Sequence, residues 1–132
     1  MKESDFQTLF TKWAKKNAKR STAYELKICK EKSLPYTRIE EHQVAALYKA
    51  KHDTLFHKIS DMSLGYKPFD CFALSGADAY VVIMFYRPGH RRYCYAIDID
   101  EWIEYQVESP RKSITEAEAK RIGTTIDLKG GV

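Results

Sequence analysis

Apolar positions along this chain fall into two rhythms, one near 3.6 residues and one of two, and the changes between them mark the elements. Phe6, Leu9, Phe10 and Trp13 recur at helical spacing behind a Ser4/Gln7 capping-box pattern, which predicts a helix over about residues 5 to 18 with a basic outer face. Residues 22 to 29 then alternate, with Tyr24, Leu26 and Ile28 on one face of a strand and Glu25 and Lys27 on the other. One face is suited to packing and the other to polar chemistry. The charged run Lys30-Glu31-Lys32-Ser33-Leu34-Pro35 reads as a loop.

Thr37 with Glu40 forms a second capping-box pattern and opens a helix to about Lys51. Its inward stripe is Ile39, Gln43, Ala46, Leu47 and Ala50. Gln43 is the exception there, since a glutamine in an apolar stripe must find hydrogen-bond partners or face a cleft. Strands follow over Leu55–Ile59 and Phe69–Leu74, separated by a loop over residues 61 to 68. Ala79–Tyr86 is an unbroken apolar run, the pattern of a central strand covered on both faces. After the turn Arg87-Pro88-Gly89-His90, Tyr93–Ile99 is a further strand, and Asp98-Ile99-Asp100-Glu101 caps a short helix carrying Trp102 and Ile103. Ser113 with Glu116 caps a last helix that stops at Gly123, leaving residues 124 to 132 as a flexible tail. The order αβαβββα implies one domain of α/β or α+β class with a mixed sheet.

The 132-residue length suits a single domain with a real core, and 44% hydrophobic with 30% charged residues excludes a disordered chain. Lysines interleave the first apolar residues, which excludes a signal peptide or membrane span there, and a cytoplasmic location is expected. Cys29, Cys71 and Cys94 are widely spaced with no CxxC pair and read as reduced core thiols. The net charge of +4 changes the picture through its distribution: Lys12, Lys15, Lys16, Lys19, Arg20, Lys27, Lys30 and Lys32 crowd the first quarter. Such crowding suits a polyanion such as nucleic acid.

Glu25 and Lys27 set a carboxylate and a cation roughly 6–7 Å apart on one strand face. Hydrolysis of a phosphodiester at a metal site needs carboxylates for the ion, a positioned water and a group to offset developing charge. Asp70, in Lys67-Pro68-Phe69-Asp70, interrupts an apolar strand and is the first choice for a second carboxylate. Asp61 is the alternative, with Glu3 and Asp5 behind it; Asp5 also has a sufficient reading as a first-turn acid favoured by the helix dipole. Asp98 and Asp100 read as helix caps. His42, His52, His57 and His90 show no zinc spacing, and the chain has no glycine-rich phosphate loop and no GxSxG elbow.

Glu25-Leu26-Lys27, the Leu34-Pro35 loop, Ile39-Glu40-Glu41-His42-Gln43 and the strand ending Ile83-Met84-Phe85 together resemble the PD-(D/E)XK nuclease superfamily. They are most similar to RecU-type Holliday-junction resolvases over residues 22 to 86. The resemblance implies a restriction-endonuclease-like fold, Glu25 as a metal ligand, Lys27 positioning the attacking water, Gln43 reaching the same site, and Pro68-Phe69-Asp70 as the P-D half motif. In that family the P-D strand precedes the E-x-K strand, whereas here only 24 residues precede Glu25, so the strand is permuted or another acid serves. The implied activity is Mg²⁺-dependent cleavage of branched DNA by a homodimer in recombination, with Mn²⁺ as an alternative ion. Lys12, Lys15, Lys16, Lys19, Arg20, Lys30 and Lys32 are the expected phosphate contacts. The competing readings are a nicking or restriction-type nuclease on duplex DNA and a non-catalytic binding module on the same fold.

Overall fold

The computed structural model describes residues 1–17, 19–60 and 67–128. Its centre is a four-stranded mixed sheet built from β1 (Thr22–Cys29), β5 (Asp78–Phe85), β6 (Tyr93–Asp98) and β8 (Thr124–Asp127), in that spatial order. β1 runs parallel to β5, with Glu25 opposite Val81, while β6 is antiparallel to both β5 and β8. Two short ladders flank it: β2 (Ser33–Pro35) with β7 (Ser113–Thr115), and a hairpin of β3 (Thr54–Lys58) with β4 (Cys71–Ser75). The protein is thus of α+β class.

Alternation along the strands assigns the two faces. Ala79, Val81, Ile83 and Phe85 of β5 meet Tyr95, Ile97, Leu47 and Trp102 on one side. That side is covered by α2 (Glu41–His52), α3 (Ile99–Glu108) and α4 (Glu116–Ile122). Val82 and Met84 meet Ile28, Cys94 and Ile126 on the other, where α1 (Glu3–Asn17) lays down Phe6 and Phe10. Tyr24 and Leu26 pack on the α1 side, as expected, which turns Glu25 and Lys27 toward α2. Phe6 and Trp102 are fully buried, and truncating either costs about 3–5 kcal/mol.

Several elements differ from expectation, each for a local reason. Residues Tyr36–Arg38 form a 3-10 turn, and α2 starts at Glu41 behind Glu40, whose N–H donates to Gln43 Oε1 at 2.9 Å. The effective box is therefore Glu40/Gln43 and not Thr37/Glu40. Likewise Thr115/Glu118, not Ser113/Glu116, caps α4. The expected tail begins with a strand: β8 pairs with β6, and Gly123 makes the approach possible, since a Cβ there would lie 2.9 Å from the carbonyl oxygens of Ala119 and Ala96. Residues 129 to 132 lie outside the described residues, as do 61 to 66 of the expected loop. Cys29 and Cys94 are buried thiols, but Cys71 is exposed because it sits on the open face of the hairpin. No helix among the described residues is long and apolar enough to cross a membrane.

Candidate functional site

Four polar side chains from three separate stretches of the sequence meet beside the middle of β1. Gln43 Nε2 donates to Glu25 Oε1 at 2.8 Å, and Lys27 Nζ stands 3.6 Å from the same oxygen. Lys27 also reaches Glu3 Oε1, 3.9 Å away, at the start of α1. The Lys27 and Glu25 side chains are 16% and 24% exposed, sheltered enough for these contacts to be stronger than in water yet open to a ligand. Gln43 serves two masters: its carbonyl holds the α2 N-terminus and its amide fixes the rotation of Glu25. That dual bonding is why a glutamine is stable on the inward stripe of α2.

The site opens into a cleft of about 240 Å³ lined by Ala23, Tyr24, Glu25, His42, Gln43 and Leu55, among others. Leu55 brings in the β3–β4 hairpin. It pairs with Leu74, and His57 pairs with Phe72, the rings 5.3 Å apart. Ladder bonding continues one step further, with Ile59 N–H donating to the Asp70 carbonyl at 2.8 Å. Asp70 sits in a bend just before β4, not inside a strand as expected, because β4 begins at Cys71. Its carboxylate is 87% exposed and pairs with Lys67 Nζ at 3.2 Å, outside the Glu3–Lys27–Glu25–Gln43 set.

No protein-family model, curated protein or solved structure matches this chain. The site's chemistry must therefore be read from its own atoms.

Of the expected acids, Glu25 is in the site, Asp70 is on the adjoining hairpin, and Asp61 lies outside the described residues. Asp5 accepts from the Lys2 N–H at 2.7 Å and serves the α1 N-terminus. Asp98 caps α3 through the Asp100 N–H, and both acids clasp Lys51 at 2.8 and 2.6 Å, joining α2 to α3. Hydrogen bonding to Lys51 holds the Asp100 carboxyl below the usual carboxylate range. His42 is exposed and pairs with Glu40 at 3.2 Å. Glu3, a lesser candidate by sequence, is drawn in by Lys27; a first-turn acid on a helix carries no mark distinguishing this role from a dipole role.

The basic residues divide into two groups. Lys12, Lys15, Lys16, Lys19 and Arg20 lie at and beyond the C-terminal half of α1, next to the start of β1, whereas Lys30 and Lys32 follow its end. An eight-residue strand, roughly 25 Å long, separates them, with Glu25 and Lys27 in between. All seven are exposed, and Arg20 pairs with Asp78 at 3.1 Å.

Among the described residues no group of three or more His, Cys, Asp or Glu side chains is disposed to hold a metal. Mg²⁺ does not require one, because it commonly takes one or two carboxylates and completes its shell with water and phosphate oxygens. Glu25, its Oε1 oriented by Gln43, offers one hard carboxylate oxygen of the kind Mg²⁺ takes, and Glu3 is the other acid beside Lys27.

Proposed function

We propose that the protein is a Mg²⁺-dependent endonuclease of the PD-(D/E)XK kind acting on branched DNA. The observation that carries the reading is the convergence of Gln43 and Lys27 on one oxygen of Glu25, at 2.8 and 3.6 Å, beside a cleft that Glu25 and Gln43 line. A carboxylate whose only task was to be solvated has no need of an amide from a separate helix. Glu25 would hold the ion, with Asp70 as the second ligand, Asp61 as its alternative, and Glu3 as a third acid beside Lys27. Support for Asp70 is that its carbonyl, accepting from the Ile59 N–H at 2.8 Å, continues the hairpin whose Leu55 lines the cleft. When bound, Mg²⁺ supplies an activated water and offsets phosphate charge.

This chain's own residues account for the rest of the chemistry. The Lys27 ammonium, 16% exposed, donates to the attacking water and opposes charge developing on the phosphate. Gln43 keeps the Glu25 carboxylate from rotating, so that the water meets it in one orientation. The two basic groups beyond the ends of β1 would seat backbone phosphates on either side of the cleft, and two copies would cut a junction symmetrically. Glu25→Gln and Lys27→Met test the reading. Both variants are expected to bind a synthetic four-way junction within about threefold of the intact protein while losing at least a hundredfold in cleavage. Cleavage unchanged in both variants would refute the role of the site. Asp70→Asn and Glu3→Gln, compared in the same assay, separate the second ligand from a helper of Lys27.

A further inference from the structure

Among the described residues α1 is the helix that covers the sheet face opposite Glu25 and Lys27, and it leaves part of that face open. Between the last turn of α1 and β8 lies a hollow of about 460 Å³, within the size range of small-ligand sites. Its wall is aromatic: Trp13, Tyr24 and Tyr80. Tyr24 and Tyr80 are register partners on β1 and β5, and their rings are 5.9 Å apart and within 21° of parallel. Phe10 holds Tyr24 edge-on at 4.8 Å and touches Trp13 at 5.3 Å, so the surface is set before any ligand arrives. The acids at the rim are already neutralised, Asp78 by Arg20 at 3.1 Å and Asp127 by Arg91 at 3.0 Å. Lys19 at this rim, and Lys15 on the adjoining hollow that shares Tyr24 and Arg20, have no acidic partner among the described residues.

We propose that this hollow binds an unpaired nucleotide, its base against Trp13, Tyr24 and Tyr80 and its phosphate on Lys19 and Lys15. An aromatic wall beside ammonium groups that have no acidic partner among the described residues is the combination that holds single-stranded nucleic acid without regard to sequence. An apolar peptide would leave the lysines unused, and a bare anion would leave the rings unused. The site lies across the sheet from the proposed cleavage cleft, so the same chain can hold an unpaired segment at a branch while the duplex beside it enters the cleft. The polymeric substrate rests on the proposed nuclease reading; occupancy of the hollow does not.

The experiment is a tryptophan-fluorescence titration in EDTA with a 5′-phosphorylated hexathymidylate, and with ribose 5-phosphate and inorganic phosphate as separate probes. Trp102 is fully buried, so quenching by the oligonucleotide reports Trp13. Saturable quenching is expected from the oligonucleotide and from neither other probe. Tyr80→Ala should weaken it by about tenfold or more, Tyr80→Phe by less than twofold, and Lys19→Ala should weaken it while flattening its salt dependence. Thr124→Phe fills the hollow from an exposed position facing the same side as Ile126 and should abolish the signal with an unchanged circular dichroism spectrum. Quenching that does not saturate, that phosphate alone reproduces, or that survives in folded Thr124→Phe overturns the proposal. Cleavage activity without saturable quenching removes this inference and leaves the nuclease reading standing; saturable quenching without cleavage does the reverse.

Discussion

Gln43→Glu separates the two tasks of Gln43, because a glutamate at this position keeps the acceptor for the Glu40 N–H but replaces the amide donor with a second carboxylate. In the native protein the bond to Glu25 is 2.8 Å long. Two carboxylates near 4 Å after relaxation repel by about 1 kcal/mol at a water-like dielectric and about 4 kcal/mol at an effective value of 20. With Lys27 3.6 Å from Glu25 and the site partly open, about 1–2 kcal/mol is the working figure at pH 7.5, or a drop of roughly 3–8 °C in Tm. Repulsion raises the folded-state pKa of the carboxylate pair above its unfolded value. The folded protein then takes up protons first on acidification, so the deficit shrinks as pH falls from 7.5 toward 5. Gln43→Ala loses both bonds, and its deficit of about 1–2 kcal/mol should not depend on pH over that interval. Urea unfolding followed by far-ultraviolet circular dichroism at both pH values measures this. A Gln43→Glu deficit that is absent at pH 7.5, or no smaller at pH 5, would refute the geometry given for Glu25.

Other consequences follow from the same structure. Burial works against ionisation of Glu118, but hydrogen bonds from Tyr105 and Thr115 and the Arg111 ion pair overcome it and hold the carboxyl at about 2. Its contribution, on the order of 2–3 kcal/mol, should be present above pH 4.5 and be lost as pH falls through 2, so Glu118→Gln should cost stability at neutral pH and little at pH 2 by urea unfolding. Cys94 is pushed up to about 12 by burial and Cys29 is raised for the same reason, whereas Cys71 is exposed. A chromogenic disulfide reagent should therefore titrate one fast thiol in the native protein and three in urea. Phe6→Ala should cost about 3–5 kcal/mol and, by loosening the helix that carries Glu3, reduce cleavage at temperatures where the fold survives.

The sheet was legible in the sequence where one strand's own pattern sufficed. The apolar run of β5 and the alternation of β1 each fix a face locally, so Glu25 and Lys27 could be assigned to one side before their neighbours were known. Gln43 was legible as an anomaly on an apolar stripe. Helix starts were harder, because Thr37/Glu40 and Glu40/Gln43 offer overlapping boxes; burial of Tyr36, its ring 5.4 Å from that of Trp102, accompanies the later start. β2, β7 and β8 are short and gain their pairing from distant partners, which no local pattern records. Cys71 was misjudged because alternation in a hairpin outside the main sheet does not reveal which face is covered, and the start of β4 at Cys71 leaves Asp70 in a bend and not in the expected strand.

The most direct measurement is incubation of the intact protein with a four-way DNA junction and a linear duplex of the same sequence, in Mg²⁺, in Mn²⁺ and in EDTA. The account predicts paired, symmetric nicks near the branch point with Mg²⁺, at least tenfold less cleavage of the linear duplex, and none in EDTA. Equal cutting of both DNAs would move the assignment to an ordinary duplex nuclease. Intact junctions with every divalent ion, at protein concentrations that saturate binding, would contradict it outright.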